Sequence, residues 1–352
     1  ATLIARAMPV PPPGSQYEIW LNGEDGRLSL GVFVPDERGQ GELTFSNPDG
    51  LNLISRYDTV EITFEPTSDG DPEPSGLLAY SYTLPEEELT HIRFLLSTFA
   101  KTPDKSGLAQ GLYADVKQIA ALSDEMQNAV EGDDDAAVRQ AAEAALNLLV
   151  GAMSDDHKDW NDDGEIASPD SYGLLVNGSN FGYVQSVYAE ADVTVHTPGV
   201  SQYMAENGEV VKTCAQNVGL RAPKMSEVLL AILRAATDTG RSESVRAFAV
   251  LTDQMLNGVD VDNNGTVDNL PGECGAAAVY EYAYYMADMP IMPVSISYQL
   301  TVAANPTLFV ISPTPGGAGS PAITPTPRPT KVPRPTKEPR PTKTERPKVP
   351  KQ

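Results

Sequence analysis

Hydrophobic and polar positions alternate in several short runs within residues 1–85, and the runs are separated by turn sequences rich in Gly, Pro and Asp. Between residues 59 and 66, for example, Val60, Ile62 and Phe64 share one face of an extended chain, and polar residues occupy the other. Period-two alternation is typical of antiparallel strands. The pattern predicts a small antiparallel β-sandwich with strands at residues 2–10, 17–22, 28–35, 41–46, 59–66 and 77–84.

The period changes after residue 85, where apolar residues recur every three or four positions. Val138, Ala142, Ala145 and Leu149, for instance, form one apolar helix face. Helices are predicted at residues 90–98, 108–130, 134–150, 182–191, 223–236, 243–259 and 276–286. Alternation returns at residues 294–302 and an apolar run follows at 308–311, which predicts a pair of strands that could extend the N-terminal sheet.

The predicted fold class is therefore α+β and multidomain. Residues 1–85 form the β-sandwich, residues 86–290 a helical domain, residues 291–312 the additional strands, and residues 313–352 an extended tail rich in Pro, Lys and Arg.

The helical part contains an internal repeat, in which residues 138–151 correspond to residues 245–258 without a gap. The matching pairs are Val138 and Val245, Arg139 and Arg246, Ala142 and Ala249, Leu149 and Leu256, and Gly151 and Gly258. A repeated unit that is too small to bury its apolar face alone is expected to pack against its copy.

An acidic loop follows each repeated helix and matches the pattern D-x-[DN]-x-[DN]-G-x-[IV]. In such loops oxygen ligands at alternate positions surround a hard cation, and the Gly permits the sharp turn. Both loops are predicted to bind Ca²⁺. The candidate ligands in loop one are Asp159, Asn161, Asp163, Glu165 and Asp170. Those in loop two are Asp260, Asp262, Asn264, Thr266 and Asp268.

The two loops differ at position 12, where an EF-hand has a bidentate Glu. Loop one has Asp170 there, whereas loop two has Pro271, and Glu273 is a candidate substitute. These ligand sets predict weak binding, with a Kd of about 10⁻⁴–10⁻³ M, so Ca²⁺ would act as a structural clamp outside the cell. The alternative is that the loops are Asx-rich turns on an acidic surface.

Cys214 and Cys274 are the only cysteines. We expect either a disulfide, which would close a loop of about 60 residues and stabilise the fold by about 4 kcal/mol, or two buried thiols.

Composition and charge weigh against several functions. The 352 residues include 25 basic and 48 acidic ones, for a net charge of −23, which disfavours general nucleic-acid binding. No stretch approaches the roughly 18 apolar residues of a membrane-spanning helix. The three histidines are far apart, and nucleotide-binding or hydrolase motifs are absent. We predict that the protein is not an enzyme, that His91 is structural, that His157 is solvated, and that His196 lies in a strand or turn.

The tail reverses the sign of the charge. Residues 321–352 carry a net charge of +7, so the remainder carries −30, and the hexad RPTK-x-[PE] recurs from Arg328, Arg334 and Arg340. Such spacing of Pro favours an extended polyproline II segment. This segment could be a solvated stalk. Residues 328–351 could instead anchor the protein to an anionic wall polymer, a lipid or an acidic protein partner, or lie back on the acidic body.

Four segments within residues 1–85 carry a family resemblance. They are residues 17–21 (YEIWL), 30–33 (LGVF), 60–66 (VEITFEP) and 72–76 (PEPSG). In this order and spacing they resemble the extracytoplasmic domain of anti-sigma-K factors. The resemblance implies a small antiparallel β-sandwich held outside a membrane. The membrane helix and the zinc-binding sigma-factor segment of that family have no counterpart in these residues, so sigma-factor binding is assigned to none of them.

The helical part resembles bacterial surface proteins with duplicated helices and EF-hand-like or dockerin-like calcium loops. The similar segments are residues 90–96 (THIRFLL), 147–151 (NLLVG), 170–173 (DSYG) and 257–260 (NGVD). Related sequences have His at positions where this chain has Ala142, Glu143 or Ala145, so a metal or haem role of those positions is not expected here.

Together these features predict a non-catalytic, secreted or surface-displayed bacterial protein with a binding or structural function, stabilised by calcium, with a protein partner or self-assembly. The chain begins at Ala1 without a leader sequence, so we expect that a targeting segment was removed or that this is an outer portion. The first alternative is the sensor ectodomain of an anti-sigma-factor-type regulator, and the second is an enzyme of unrecognised chemistry.

Overall fold

The computed structural model describes residues 1–24, 26–68, 70, 72–167, 172–176 and 181–294, and the backbone of residues 299–301 and 308–310. The predicted ligand Asp170 and the predicted tail lie outside these ranges, as does part of the segment 291–312.

Six strands form the N-terminal part at nearly the predicted positions. They are β1 (Thr2–Ala5), β2 (Ser15–Gly23), β3 (Gly26–Phe33), β4 (Gly41–Thr44), β5 (Tyr57–Pro66) and β6 (Leu78–Thr83). The short strand β7 (Met292–Pro293) pairs with β6, which gives an antiparallel sheet in the order β3-β2-β5-β6-β7. Two further antiparallel pairs are β1 with β4, and β8 (Gln299–Thr301) with β9 (Leu308–Val310).

The larger sheet and the β1–β4 pair share one apolar cluster. Alternate residues of β2 and β5, such as Tyr17, Ile19 and Ile62, are almost completely buried in it. Leu3 of β1 and Leu43 of β4 pack against the same cluster. Period-two alternation therefore places one apolar face of each strand in a common core, as the sequence pattern predicted.

The opposite face of β5 carries a buried polar cluster. The Trp20 indole donates to Thr63 Oγ1 at 2.9 Å, and the Thr63 hydroxyl donates to Glu65. Both oxygens of Glu65 accept the backbone N–H of Ser75, at 3.0 and 2.9 Å. Glu65 is only 2% exposed. This network ties β2, β5 and the 72–76 turn together through residues of the segments that carry the family resemblance.

Seven α-helices lie within the described residues. They are α1 (Glu86–Leu96), α2 (Leu108–Glu131), α3 (Asp135–Val150), α4 (Tyr183–His196), α5 (Gln202–Arg234), α6 (Asp238–Asn257) and α7 (Ala276–Met286). The order of a long helix, a second helix, an acidic loop and a third helix occurs twice, as α2-α3-α4 and as α5-α6-α7. The mixture of helices with antiparallel sheets confirms the predicted α+β class.

Two helix predictions were wrong in extent. The sequence predicted a helix only at 223–236, but α5 runs from Gln202 to Arg234 and contains Pro223 in its interior. The Asn207-Gly208 pair resembles a turn signal, whereas Gly208 is needed for close packing, because a Cβ there would lie 2.3 Å from Cγ1 of Val195. His196 is the last residue of α4 and not part of a strand or turn.

Glu65 and Glu61 on the same strand provide a matched test of the buried network. We expect Glu65→Ala to lower the free energy of unfolding by about 2–4 kcal/mol, because the Ser75 N–H and the Thr63 hydroxyl lose their acceptor in a buried site. Glu61 forms an exposed pair with Arg27 at 3.2 Å, so Glu61→Ala should change stability by about 0.5 kcal/mol or less. Urea unfolding followed by circular dichroism measures both; equal losses would contradict the role of Glu65.

Candidate metal centre

Loop one turns its predicted ligand side chains toward the inside of the loop. Asp159 accepts the backbone N–H groups of Asp162 and Gly164, at 2.7 and 2.8 Å. Asn161 and Asp163 each accept the N–H two residues further on, both at 2.8 Å. Asp162 and Gly164 have left-handed φ angles of 63° and 92°. The chain thus curls around the alternate oxygen-bearing side chains, which is the arrangement that the pattern predicts.

Loop two has the same backbone geometry as loop one. Asp260 accepts the N–H of Gly265 at 2.8 Å, just as Asp159 accepts that of Gly164. Asn263 and Gly265 have φ angles of 58° and 89°, close to those of the equivalent residues in loop one. The equivalence shows that the two sequence matches produce one local structure.

A buried glutamate lies beneath each loop. Glu143 of α3 is fully buried, and its Oε1 accepts the N–H of Ala167 at 2.8 Å. Glu273 is 3% exposed, and its Oε2 accepts the N–H of Asp268 at 2.7 Å. Ala167 and Asp268 occupy the same loop position, so two glutamates from different places in the sequence fill one structural role.

Glu143 is the site residue that sequence reasoning missed. Besides Ala167, it accepts the N–H groups of Trp160 and Asn161 at 2.9 and 3.0 Å. The available signal was an acidic residue beside the apolar face of a helix whose residues 141–149 are all buried. Glu273 was predicted as a substitute ligand of loop two, and that role stays a prediction.

Three carboxylates converge in loop two. Asp260, Asp262 and Glu273 each place an oxygen within 4.8 Å of the others, and they form the only such group of His, Cys, Asp and Glu in the described part of the chain. Oxygen donors at this spacing suit a hard divalent cation. The side chain of the predicted ligand Asp268 accepts the Asn264 amide at 2.8 Å. The Thr266 hydroxyl donates to Asn264 at 2.6 Å, and the atom through which Thr266 is predicted to bind is its backbone carbonyl oxygen.

Fewer of the predicted ligands of loop one than of loop two lie within the described residues. Asp159, Asn161 and Asp163 lie in the curl, and Glu165 donates its backbone N–H to Asp163. The Asn161 amide donates to Asp163 at 3.0 Å, so two of the predicted ligands bond to each other. The fifth ligand, Asp170, falls outside the described ranges.

The segment that carries Glu273 is held firmly against α5. A disulfide joins Cys214 of α5 to Cys274. The Asn217 amide donates to the carbonyl of Leu270 at 2.9 Å, and Arg221 donates to the carbonyls of Glu273 and Cys274, both at 2.9 Å. Burial lowers the pKa of the Arg221 guanidinium. The Glu273 carboxylate therefore approaches loop two from a rigid support.

Two of the three histidines lie away from the loops, whereas His157 lies just before loop one. His91 Nδ1 is 2.6 Å from Glu190 Oε2, which links α1 to α4. His196 Nδ1 contacts the Asp192 carbonyl at 2.8 Å at the end of α4. Neither joins a group of metal-ligating side chains among the described residues.

None of the helices within the described ranges combines the length and the apolar character that crossing a bilayer requires.

Comparison with known families bears on the N-terminal part. Residues 1–78 match the family model described as Anti-sigma-K factor rskA, C-terminal. The match spans β1 to β5, which is less than a quarter of the chain, and it confirms the resemblance that the sequence segments indicated. No curated protein and no solved structure matches the chain. The resemblance of the helical part to bacterial surface proteins stays a prediction.

Glu143 and its repeat-equivalent Val250 allow a matched test of the support under loop one. Glu143→Ala removes the acceptor of three backbone N–H groups, so we expect a loss of about 2–4 kcal/mol in the free energy of unfolding. Val250 occupies the corresponding position of α6 and is 57% exposed, so Val250→Ala should cost about 0.5 kcal/mol or less. Chemical denaturation measures both values. A loss below about 1 kcal/mol for Glu143→Ala would contradict its supporting role.

Proposed function

We propose that this chain is the extracytoplasmic sensory part of an envelope regulator of the anti-sigma-factor type, without catalytic activity. The observation that carries the proposal is the match of residues 1–78 to the C-terminal domain of anti-sigma-K factors. Sequence reasoning preferred a freestanding binding or structural protein and gave the regulator as its alternative. The family match supports that alternative better, because no comparison favours a structural protein.

The buried network around Glu65 supports the same proposal. A resemblance limited to surface residues would carry little weight, whereas Trp20, Thr63, Glu65 and Ser75 are joined by hydrogen bonds across two strands and a turn. Because these residues of the matching segments interact with one another in a buried network, the match is better explained by a domain of the same fold than by a chance similarity of short segments.

A domain exchange tests the proposal. Residues 1–294 would replace the C-terminal domain of an anti-sigma-K factor in a bacterial strain that carries a sigma-K-dependent reporter. We expect the chimera to restore reporter repression that is lost when that domain is simply deleted. The control chimera carries Glu65→Ala, which disrupts the buried network and should restore less repression. A stable chimera whose reporter output equals that of the deletion would contradict the proposal.

We further propose that loop two binds Ca²⁺ through Asp260, Asp262 and Glu273. The support is the convergence of three carboxylates, one of which is buried, in an otherwise strongly acidic chain. A bound cation would offset the mutual repulsion of these carboxylates. Loop one, with Asp159, Asn161 and Asp163, is the second candidate, and the buried Glu143 supports its curl from below.

Thermal unfolding with and without Ca²⁺ tests this site. At about 2 mM Ca²⁺ and a Kd of about 10⁻⁴ M, binding to the folded state should add about 2 kcal/mol, which raises the Tm by several degrees. We expect Asp262→Asn combined with Glu273→Gln to remove most of the shift. Asp124→Asn, an exposed change on α2, should leave it intact. The quantity compared between variants is the change in Tm on addition of Ca²⁺, so a variant with lower basal stability remains informative. A full Ca²⁺-dependent rise in the Tm of the double variant would contradict the site.

A further inference from the structure

The repeated helix α3 binds a segment of its own chain along one face. Arg139 donates to the main-chain carbonyl of Asn161 at 3.1 Å, and the Asn147 amide donates to that of Lys158 at 3.1 Å. Asn147 also accepts the N–H of Lys158, and Glu143 accepts three further N–H groups. The face therefore holds a non-helical segment, the curled loop one, mainly through the backbone of that segment.

The same positions of α6 are open. Arg246 corresponds to Arg139, Val250 to Glu143, and Gln254 to Asn147. These residues belong to a groove of about 510 Å³ whose lining includes Gln127, Arg246, Ala249, Val250, Asp253 and Gln254. Neither Arg246 nor Gln254 forms a side-chain hydrogen bond to any other described residue. The second repeat thus presents a helix face of the kind that the first repeat covers with polypeptide.

The difference in loop length explains why the groove is open. Asp159 follows the helix-ending Gly151 by eight positions, whereas Asp260 follows Gly258 by two. The longer connection lets loop one fold back over α3. The shorter one leads directly into loop two, where Val259 donates to the Glu273 carbonyl at 3.0 Å.

We propose that the groove on α6 binds the Pro-rich basic segment of this chain, residues 321–352. The repeat supplies the precedent, since the equivalent face of α3 is already occupied by a segment of the same chain. The segment follows the last described strand, and at about 3.1 Å per residue its length is sufficient to reach the helical part.

The chemistry of the two surfaces is complementary. Proline occupies almost one position in three of the segment, so many of its peptide groups accept hydrogen bonds but do not donate them. The groove offers donors from Arg246, Gln127 and Gln254, and apolar contact from Ala249 and Val250. Asp253 provides a carboxylate for the Lys and Arg side chains of the segment. At longer range, a segment of charge +7 is attracted to a body of charge −30.

Zero-length cross-linking of the full chain tests the proposal. A carbodiimide joins a carboxylate to an amine only when the two are in contact. In dilute solution we expect monomer cross-links between Asp253 and Lys331, Lys337 or Lys343, identified by proteolysis and mass spectrometry. Their yield should fall about fivefold or more in Val250→Trp, which fills the groove with a bulky side chain.

Val193→Trp is the matched control. Val193 lies on α4 and is 46% exposed, against 57% for Val250, so both substitutions add the same side chain at an open position. The control should leave the Asp253 cross-links unchanged. An equal fall in both variants would overturn the proposal, as would cross-links spread over other carboxylates without Asp253. Cross-links found only in dimers would assign the groove to the tail of a second copy and would also overturn it.

Discussion

The structure depends on buried carboxylates that hold backbone N–H groups. Glu65, Glu143 and Glu273 are at most 3% exposed, and each accepts at least one backbone N–H from a turn or loop. Burying a charge is costly unless hydrogen bonds compensate for the lost hydration. Within the described residues none of the three forms an ion pair, so the compensation comes from backbone N–H groups and, for Glu65, also from the Thr63 hydroxyl. Each glutamate therefore fixes one turn or loop.

The strands and the loop curls could be predicted because their signals are local. Alternation along β2 and β5 identifies the core face directly, and the Gly positions at 164 and 265 provide the left-handed φ angles that the loop pattern requires. Such features need no knowledge of distant residues, since each depends on neighbours within a few positions of the chain.

The remainder depends on contacts between distant residues. Gly208 is a turn signal in isolation, yet it lies inside α5 because Val195 and Met286 pack where a side chain would be. Glu143 is an acidic residue on a helix until loop one folds back and covers it. Tertiary packing overrides local preference at both positions. The sequence repeat also did not reveal that the two repeats differ in structure. The longer connection lets loop one cover the face of α3, whereas the shorter connection leaves the equivalent face of α6 uncovered.

The N-terminal sheet is completed by residues outside the family match. The match ends at Leu78, where β6 begins, and β7 comes from the chain that follows α7. Two hydrogen bonds also join the sheet region to α1, from Asn52 to the Leu96 carbonyl at 2.6 Å and from Arg93 to the Ile54 carbonyl at 2.9 Å. Pairing of β6 with β7 covers part of a strand edge that would otherwise be open to other chains. The helical part therefore contributes to the stability of the sheet. Because β7 follows α7 along the chain and pairs with β6, a displacement of α7 would move β7 and thereby act on the sheet edge next to the family-matched region.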